Sequence, residues 1–152
     1  MSTIPAVLDA LVAAAERALP DVQVLDGGPT VEVCDDVIAI GYSGSTEPDV
    51  RSILTREQLD MQPDLERYDV MCMASAWRGD AHNDGRPDSK TVRDRVFQLL
   101  AGLRDELARD PQLGGVVMMA RMSTMDVMFH QTKAGPVCEA RFQVHVDAFS
   151  VA

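Results

Sequence analysis

The 152-residue chain is poor in cysteine and in basic residues. Its three cysteines, Cys34, Cys72 and Cys138, lie far apart, which argues against both a disulfide framework and a paired metal-binding motif. Lysine and arginine number 14 against 24 aspartates and glutamates, giving a formal net charge of -10. Proteins that bind nucleic acid phosphates or anionic lipid need basic patches, so this balance argues against both partners.

The sequence also lacks a long hydrophobic run and the common nucleotide-binding motifs. No apolar stretch is long enough to cross a bilayer, and Asp9 and Glu16 interrupt an N-terminal segment that has no basic start, unlike a signal peptide. No Gly-x-Gly-x-x-Gly motif or phosphate-binding loop occurs. The stretch from Gly41 to Gly44 is only loosely similar to a nucleophile elbow. Its second glycine comes one residue too early, and a proline-containing segment follows in place of a helix.

Two stretches have the apolar spacing of amphipathic helices. In the first, Ser2 or Thr3 can cap a helix with Pro5 in its first turn. Its apolar face is Ile4, Val7, Leu8, Leu11, Val12, Ala15 and Leu19. The second helix is predicted from about Ser89 to Arg109, with the apolar stripe Val92, Val96, Leu99, Leu100, Leu103 and Leu107.

Alternating apolar and polar residues predict strands. The segments are VQVLD, TVEV, DDVIAIGYSG, which stops at Gly44, YDVMCMASAWRGD, VVMMARMSTMDVMFHQ and VCEARFQVHVDAF. The last has the clearest alternation, with Ala140, Phe142, Val144, Val146 and Ala148 on one face and Glu139, Arg141, Gln143, His145 and Asp147 on the other. We therefore predict a single α+β domain over residues 1–152, with a mostly antiparallel sheet of four to five strands and both helices packed on one face.

Residues 43–67 differ from the rest of the chain. They are polar, contain two prolines and show no long period, which predicts a long loop with one helical turn around residues 56–59. Such a segment buries too little apolar surface to become ordered alone, so we expect it to be mobile in the free subunit. We predict that it contacts a protein partner through Arg51, Ile53, Leu54, Arg56, Leu59 and Met61.

The three histidines are weak evidence for a catalytic or metal-binding site. His82 lies in a polar segment and His130 near a strand end, whereas His145 and Asp147 share one side of the last strand and could supply two metal ligands. No residue with suitable spacing supplies a third ligand. The prediction is therefore no catalytic, cofactor-binding or metal site, and His145 with Asp147 belongs to a polar row that faces solvent or a neighbouring subunit.

Methionine is concentrated in one place. Five of the nine methionines lie in residues 118–128, at Met118, Met119, Met122, Met125 and Met128. They occupy both faces of the predicted strand, and two apolar faces imply burial on both sides. Two helices on one face of the sheet cover one side, so the other side is expected to contact a protein partner.

The order and spacing of three segments resemble the tail terminator proteins of long-tailed, siphovirus-type bacteriophages of actinobacteria. The segments are ERYDVMCMASAWRGD, which contains Trp77-x-Gly79-Asp80, then VRDRVFQLLAGLRDELARDPQLGGVVMMARM, and then EARFQVHVDAF. The resemblance covers roughly residues 5–150. The methionine-rich strand departs from the family pattern, so the details of that face do not carry over.

The resemblance implies a structural protein of the virion, located at the neck end of the tail after assembly in the host cytoplasm. Family members form a homohexameric ring that caps the major tail tube protein, ends its polymerisation and contacts the head-tail connector or head-closure protein. DNA would pass through the lumen without specific binding, and no cofactor or catalytic residue is implied. Two alternatives stay open: a head-closure or tail-completion protein of the same neck region, and a small metal-dependent enzyme that uses His145 and Asp147.

Overall fold

In a computed structural model of the chain, the structure describes residues 2–28, 35–44, 48–54, 64–78, 89–132 and 135–150. Two helices, α1 (Ile4–Ala18) and α2 (Ser89–Arg109), accompany six strands: β1 (Gln23–Asp26), β2 (Asp36–Ile40), β3 (Val50–Leu54), β4 (Leu65–Trp77), β5 (Met119–Thr132) and β6 (Gly135–Phe149). The strands form one sheet in the order β1-β2-β4-β6-β5, with β3 also beside β4. The α+β class is confirmed, with six described strands in place of the predicted four to five.

The long strands β4 and β6 form the centre of the sheet. They pair antiparallel along the whole of β4, from Leu65 opposite Phe149 to Trp77 opposite Val137. On the other edge of β4, β2 pairs with its second half and β3 with its first half, so these two short strands lie end to end. Among the described strands, the parallel pair is β1 with β2, and the rest of the sheet is antiparallel as predicted.

The prediction that residues 43–67 form a long loop is wrong in part. Residues 50–54 form β3, and β4 begins at Leu65, three residues before the predicted start at Tyr68. Sequence patterning missed both segments because β3 has five residues with no clear alternation and because β4 opens with the charged residues Glu66 and Arg67. The predicted helical turn at residues 56–59 and the predicted strand TVEV lie outside the described residues.

Met71 of β4 holds both ends of the connection between β2 and β3. The Tyr42 N–H donates to the Met71 carbonyl at 2.8 Å, and the Met71 N–H donates to the Asp49 carbonyl at 2.9 Å. Asp49 Oδ1 also accepts a hydrogen bond from the Ser43 N–H at 2.9 Å. Gly41 adopts φ +73° as the chain leaves the sheet, a backbone conformation that favours glycine. The connection therefore leaves the sheet and returns at one point on β4.

Both helices pack on one face of the sheet, as predicted. The buried residues of α2 are the predicted ones, Val92, Val96, Leu99, Leu100, Leu103 and Leu107. They meet the alternate buried residues of β6, Ala140, Phe142, Val144, Val146 and Ala148. Burying each large apolar side chain contributes about 1.5–3 kcal/mol, so this layer supplies most of the stability of the fold. No helix in the described ranges is both long and apolar enough to cross a membrane.

Gly114 and Gly115 turn the chain from α2 into β5. Their φ angles are +70° and +94°, in the left-handed region that a residue with a Cβ rarely adopts. The turn is fixed by the Asp110 carboxylate, whose Oδ2 accepts the Gly114 N–H at 2.8 Å, and by the Ala120 N–H, which donates to the Pro111 carbonyl at 2.7 Å.

A buried carboxylate on β4 holds the start of α1. Glu66 is 1% exposed. Its Oε2 accepts hydrogen bonds from Ser2 Oγ at 2.9 Å and Thr3 Oγ1 at 3.1 Å, and the Thr3 N–H lies 3.2 Å from both carboxylate oxygens. Of the two predicted capping residues, the Thr3 side chain makes no cap hydrogen bond, whereas Ser2 Oγ accepts the N–H of Ile4, the first helical residue, at 3.2 Å. Glu66 places its negative charge beside the helix N-terminus, where the helix dipole favours it.

Tyr68 completes this cluster. Its hydroxyl lies 2.8 Å from Thr3 Oγ1. The pKa of Tyr68 is raised to about 12, chiefly by burial and in smaller part by the Glu66 charge, although the hydrogen bond with Thr3 lowers it. The hydroxyl therefore stays protonated and donates to Thr3 while Thr3 donates to Glu66.

We expect Glu66→Gln to lower the free energy of unfolding by about 1–3 kcal/mol, because it removes a buried charged acceptor of several hydrogen bonds. Urea denaturation followed by circular dichroism measures the change. The matched control is Glu139→Gln, at a half-buried position of β6 for which the structure shows no hydrogen bond within the described residues. Equal effects of the two substitutions would show that Glu66 does not anchor α1.

Asp36 at the start of β2 ties α2 to the sheet. Arg78 Nη1 lies 2.7 Å from Asp36 Oδ1, and Arg95 Nε of α2 lies 2.9 Å from Asp36 Oδ2. Burial alone would raise the pKa of the Asp36 carboxyl, but the hydrogen bonds and charges of Arg78 and Arg95 outweigh burial and lower the pKa below its ordinary 3.8. A lowered pKa in the folded state means that ionised Asp36 stabilises the fold.

This stabilisation is present above the ordinary pKa and is lost as the pH falls through the lower value of the folded state. We expect Asp36→Asn to cost about 1–2 kcal/mol at neutral pH, and the difference from wild type to shrink once the pH falls below about 4. Urea denaturation across this pH range measures it. A difference that is constant with pH would contradict the assignment. Asp94→Asn, which removes an exposed carboxylate from α2, is the control.

Candidate interaction surface

The face of the sheet opposite the helices, here called the open face, carries two rows of charged and apolar residues. In each row, register partners lie side by side across β3, β4, β6 and β5. One row is Arg51, Asp69, His145 and Arg121, and the next includes Arg67, Asp147 and Met119. Cross-strand neighbours of opposite charge stabilise a sheet, and this face carries ion pairs of its own around the half-buried Asp69, His145 and Asp147.

His145 lies between two carboxylates on the open face. Its Nδ1 is 2.8 Å from Asp69 Oδ1, and its Nε2 is 3.4 Å from Asp147 Oδ1. Arg67 Nε is 3.3 Å from the same Asp147 oxygen. The side chains of His145, Asp69 and Asp147 are each about one-third exposed or less. These ion pairs are therefore partly shielded from solvent.

The structure brings together His145 and Asp147, as the sequence predicted. Asp147 Oδ1 is buried and has both Arg67 and His145 nearby, but neither contact has hydrogen-bond geometry. The positive charge of the Arg67 guanidinium, 3.3 Å from this oxygen, disfavours a cation beside it. Within the described ranges, no group of three or more histidine, cysteine, aspartate or glutamate side chains is arranged to hold a metal ion. His82 and the side chain of His130 lie outside the described residues.

Two of the three cysteines are buried in the core as free thiols. Burial raises the pKa of the Cys72 thiol to about 12 and also raises the pKa of Cys138. Both thiols are therefore protonated at neutral pH and act as small apolar core residues. Cys34 lies outside the described residues.

The residues predicted to form a protein-interaction loop are placed only in part. Arg51 is exposed on β3, and Ile53 and Leu54 belong to the same strand, but their side chains are not described. Arg56, Leu59 and Met61 lie outside the described residues. Their contact with a partner stays a prediction.

β5 is an edge strand with an apolar surface. Within the described sheet it pairs with β6 alone, which leaves its other edge open. Met119 faces the open side, whereas Met125 and Phe129 are register partners of buried β6 residues and lie on the helix side. Together with Met118, these side chains are 41–55% exposed. An edge strand with exposed apolar residues on both faces is a site for contact with another protein.

The sequence predicted the apolar surface of β5 but not the exposed aromatic residue of α2 beside it. Phe97 is the exposed aromatic residue of α2, and no sequence signal marked it, because its position falls outside the predicted apolar stripe. The charge of Arg93, one turn earlier, acts on Cys138, the register partner of Phe129. The C-terminal half of α2 lies beside the start of β5, with Arg104 and Ala108 near Met119 and Met122, so α2 runs antiparallel to β5. Phe97 is two helical turns before Arg104 and lies on the same side of α2.

No known protein-family model matches the sequence of this chain, and no curated protein matches it. The function is therefore argued from these surfaces and from the resemblance of the sequence segments.

We expect changing His145 and Asp147 together to Asn to leave the protein folded and to lower the free energy of unfolding by about 1 kcal/mol or less, because partly exposed ion pairs contribute little. Circular dichroism and urea denaturation measure this. Protein purified without added metal is expected to carry substoichiometric zinc and manganese in elemental analysis. Stoichiometric metal that is lost in the double variant would favour the metal-dependent enzyme.

Proposed function

We propose that the protein is a tail terminator of a long-tailed bacteriophage, a structural subunit that closes into a homohexameric ring on the tail tube. The observation that supports this most is β5, a 14-residue edge strand whose exposed methionine and phenylalanine side chains lie on both faces. Such a surface is stabilised when a second protein covers it. In a ring of identical subunits, each subunit offers two different surfaces, and its neighbours cover both.

The rest of the surface is consistent with this proposal. The described residues bring no catalytic constellation together, and the open face carries ion pairs that belong to a structural surface rather than to a pocket. The formal net charge of -10 suits a ring through which DNA passes without adhering, since phosphates and carboxylates repel. We infer that one side of the ring contacts the major tail tube protein and the other contacts the head-tail connector or head-closure protein.

The nearest alternative is a head-closure or tail-completion protein of the same neck region. A terminator and a closure or completion protein differ in the assembly defect that appears when the protein is absent. A terminator limits tube length, so its loss yields tubes of irregular length. A closure or completion protein joins finished parts, so its loss yields tubes of normal length that stay separate from filled heads.

We expect a phage that lacks this chain to produce tails of irregular length in electron micrographs, and the wild-type chain supplied in trans to restore a uniform length. Met125→Lys and Phe129→Lys are each expected to fold but to restore length poorly, because each places a charge on the apolar surface of β5. Gln98→Lys, an exposed substitution on α2, is the control and should restore length fully.

Tails of normal length that fail to join heads would replace the terminator assignment with the closure or completion protein. Normal tails and normal particles in the absence of the chain would overturn both assignments.

A further inference from the structure

The sequence of β5 is complementary to itself about its middle. Residues 119–123 are Met-Ala-Arg-Met-Ser, and residues 124–128 are Thr-Met-Asp-Val-Met. When the second half is aligned in reverse against the first, every residue is opposite one of the same kind or of opposite charge. The pairs are Ser123 with Thr124, Met122 with Met125, Arg121 with Asp126, Ala120 with Val127 and Met119 with Met128. Two copies of β5 that lie antiparallel about this midpoint would form each of these pairs twice.

An irregularity in β5 places both members of each pair on the same face of the sheet, as cross-strand partners must be. Residues an odd number of positions apart point to opposite faces of a regular strand, so Arg121 and Asp126 would face apart. The pairing of β5 with β6 shifts by one residue between Met122 and Met125, however. As a result, Arg121 and Asp126 both lie on the open face, and Met122 and Met125 both lie on the helix side. The two outer pairs also share a face each, Ala120 with Val127 and Met119 with Met128.

The position of this irregularity is at the centre of the complementary stretch. A β-bulge usually protects an edge strand from pairing with another chain, because it disrupts the ladder of hydrogen bonds locally. In β5 it falls at Ser123 and Thr124, between the two complementary halves. A two-fold axis at this point brings the irregularities of both copies together, so the pairs on either side of the axis keep a regular register.

A single copy leaves the groups along the outer edge of β5 without partners. Within the described sheet β5 pairs with β6 alone, so the peptide groups of its outer edge face no other strand. Arg121 and Asp126 are exposed, and neither forms an ion pair with a described residue. Arg141, the register partner of Asp126, lies against Gly44 instead, with its Nε 3.4 Å from the position that a Cβ of Gly44 would take. A second β5 supplies hydrogen-bonding peptide groups, opposite charges and apolar contacts together.

We propose that the free chain forms a two-fold dimer in which β5 of one copy pairs antiparallel with β5 of a second copy. Arg121 of each copy lies opposite Asp126 of the other on the open face, and Met122 of each copy contacts Met125 of the other on the helix side. The same patch of both copies forms the contact, so it closes at two subunits. The charges also fix the register, because a shift along the strand would separate Arg121 from Asp126.

This dimer goes beyond the proposed function and competes with it for the same strand. In the proposed ring a neighbour covers β5 through a contact that repeats, whereas in the dimer β5 is covered by its own copy. The dimer therefore protects an apolar edge strand from aggregation before assembly, and it must separate before the ring closes. The pairing rests on the sequence and register of β5, and only the competition rests on the proposed function.

Charge reversal on β5 tests the dimer in the full chain. Arg121→Asp and Asp126→Arg each convert both Arg–Asp pairs of the dimer into pairs of like charge. Sedimentation equilibrium at low salt, up to millimolar protein, measures self-association. We expect wild type to form a dimer, and each single variant to associate at least about tenfold more weakly, because like charges directly opposite each other destabilise paired strands. Circular dichroism verifies that each variant is folded.

The double variant Arg121→Asp with Asp126→Arg is expected to restore the dimer, because it exchanges the two charges on each copy and keeps the net charge of wild type. An equal mixture of the two single variants is also expected to restore it, since one copy then presents two carboxylates and the other presents two guanidinium groups. The matched controls are Lys90→Asp on α2 and Asp9→Arg on α1. They make the same changes of net charge at exposed positions outside β5 and should associate like wild type.

Four results would overturn the proposal: a wild-type chain that stays monomeric throughout the range, a wild-type species larger than a dimer, a single variant that associates like wild type, or a double variant that stays as weak as the single ones. A monomeric wild-type chain together with irregular tails in phage that lack the chain would reject the dimer while the terminator function stands. A dimer that the double variant restores, together with normal tails in that phage, would reject the function while the dimer stands.

Discussion

The antiparallel pairing of β4 with β6 is the constraint on which the described fold depends. Each strand alternates buried and half-buried residues, and the pairing places the buried sets on one face. α2 covers that face, β2 and β3 attach to the free edge of β4, and β5 attaches to the free edge of β6. Glu66 and Tyr68 of β4 also fix the start of α1. A shift of one residue in this register would move every buried side chain to the open face.

Much of this arrangement could be predicted because its signals are local and periodic. The stripe of α2 and the alternation of β6 each repeat over several turns or residue pairs, so the α2 bounds and the buried set of β6 were predicted correctly. β3 and the start of β4 could not be predicted in this way, since a charged residue such as Glu66 is expected to be exposed to solvent. Its burial depends on Ser2 and Thr3, more than 60 residues earlier in the chain.

On β5, the alternation of residues in the sequence does not predict which face of the sheet each side chain occupies. Met122 and Met125 are three residues apart and should face opposite ways in a regular strand, yet both are register partners of buried β6 residues, because the pairing shifts between them. The composition predicted an uncovered apolar surface on the side away from the helices, where Met119 is exposed, but Met125 and Phe129 are exposed on the helix side.

The connection between β2 and β3 gives the fold a place where length can change without cost to the core. Both of its ends are hydrogen-bonded to Met71, through Tyr42 and Asp49, and β2 and β3 pair with β4 on either side of this point. The entropy of closing a loop rises slowly with its length, so added residues at this point are tolerated. The protein can therefore carry a short peptide label here for locating the subunit in an assembled particle, while its helix layer and β5 stay unchanged.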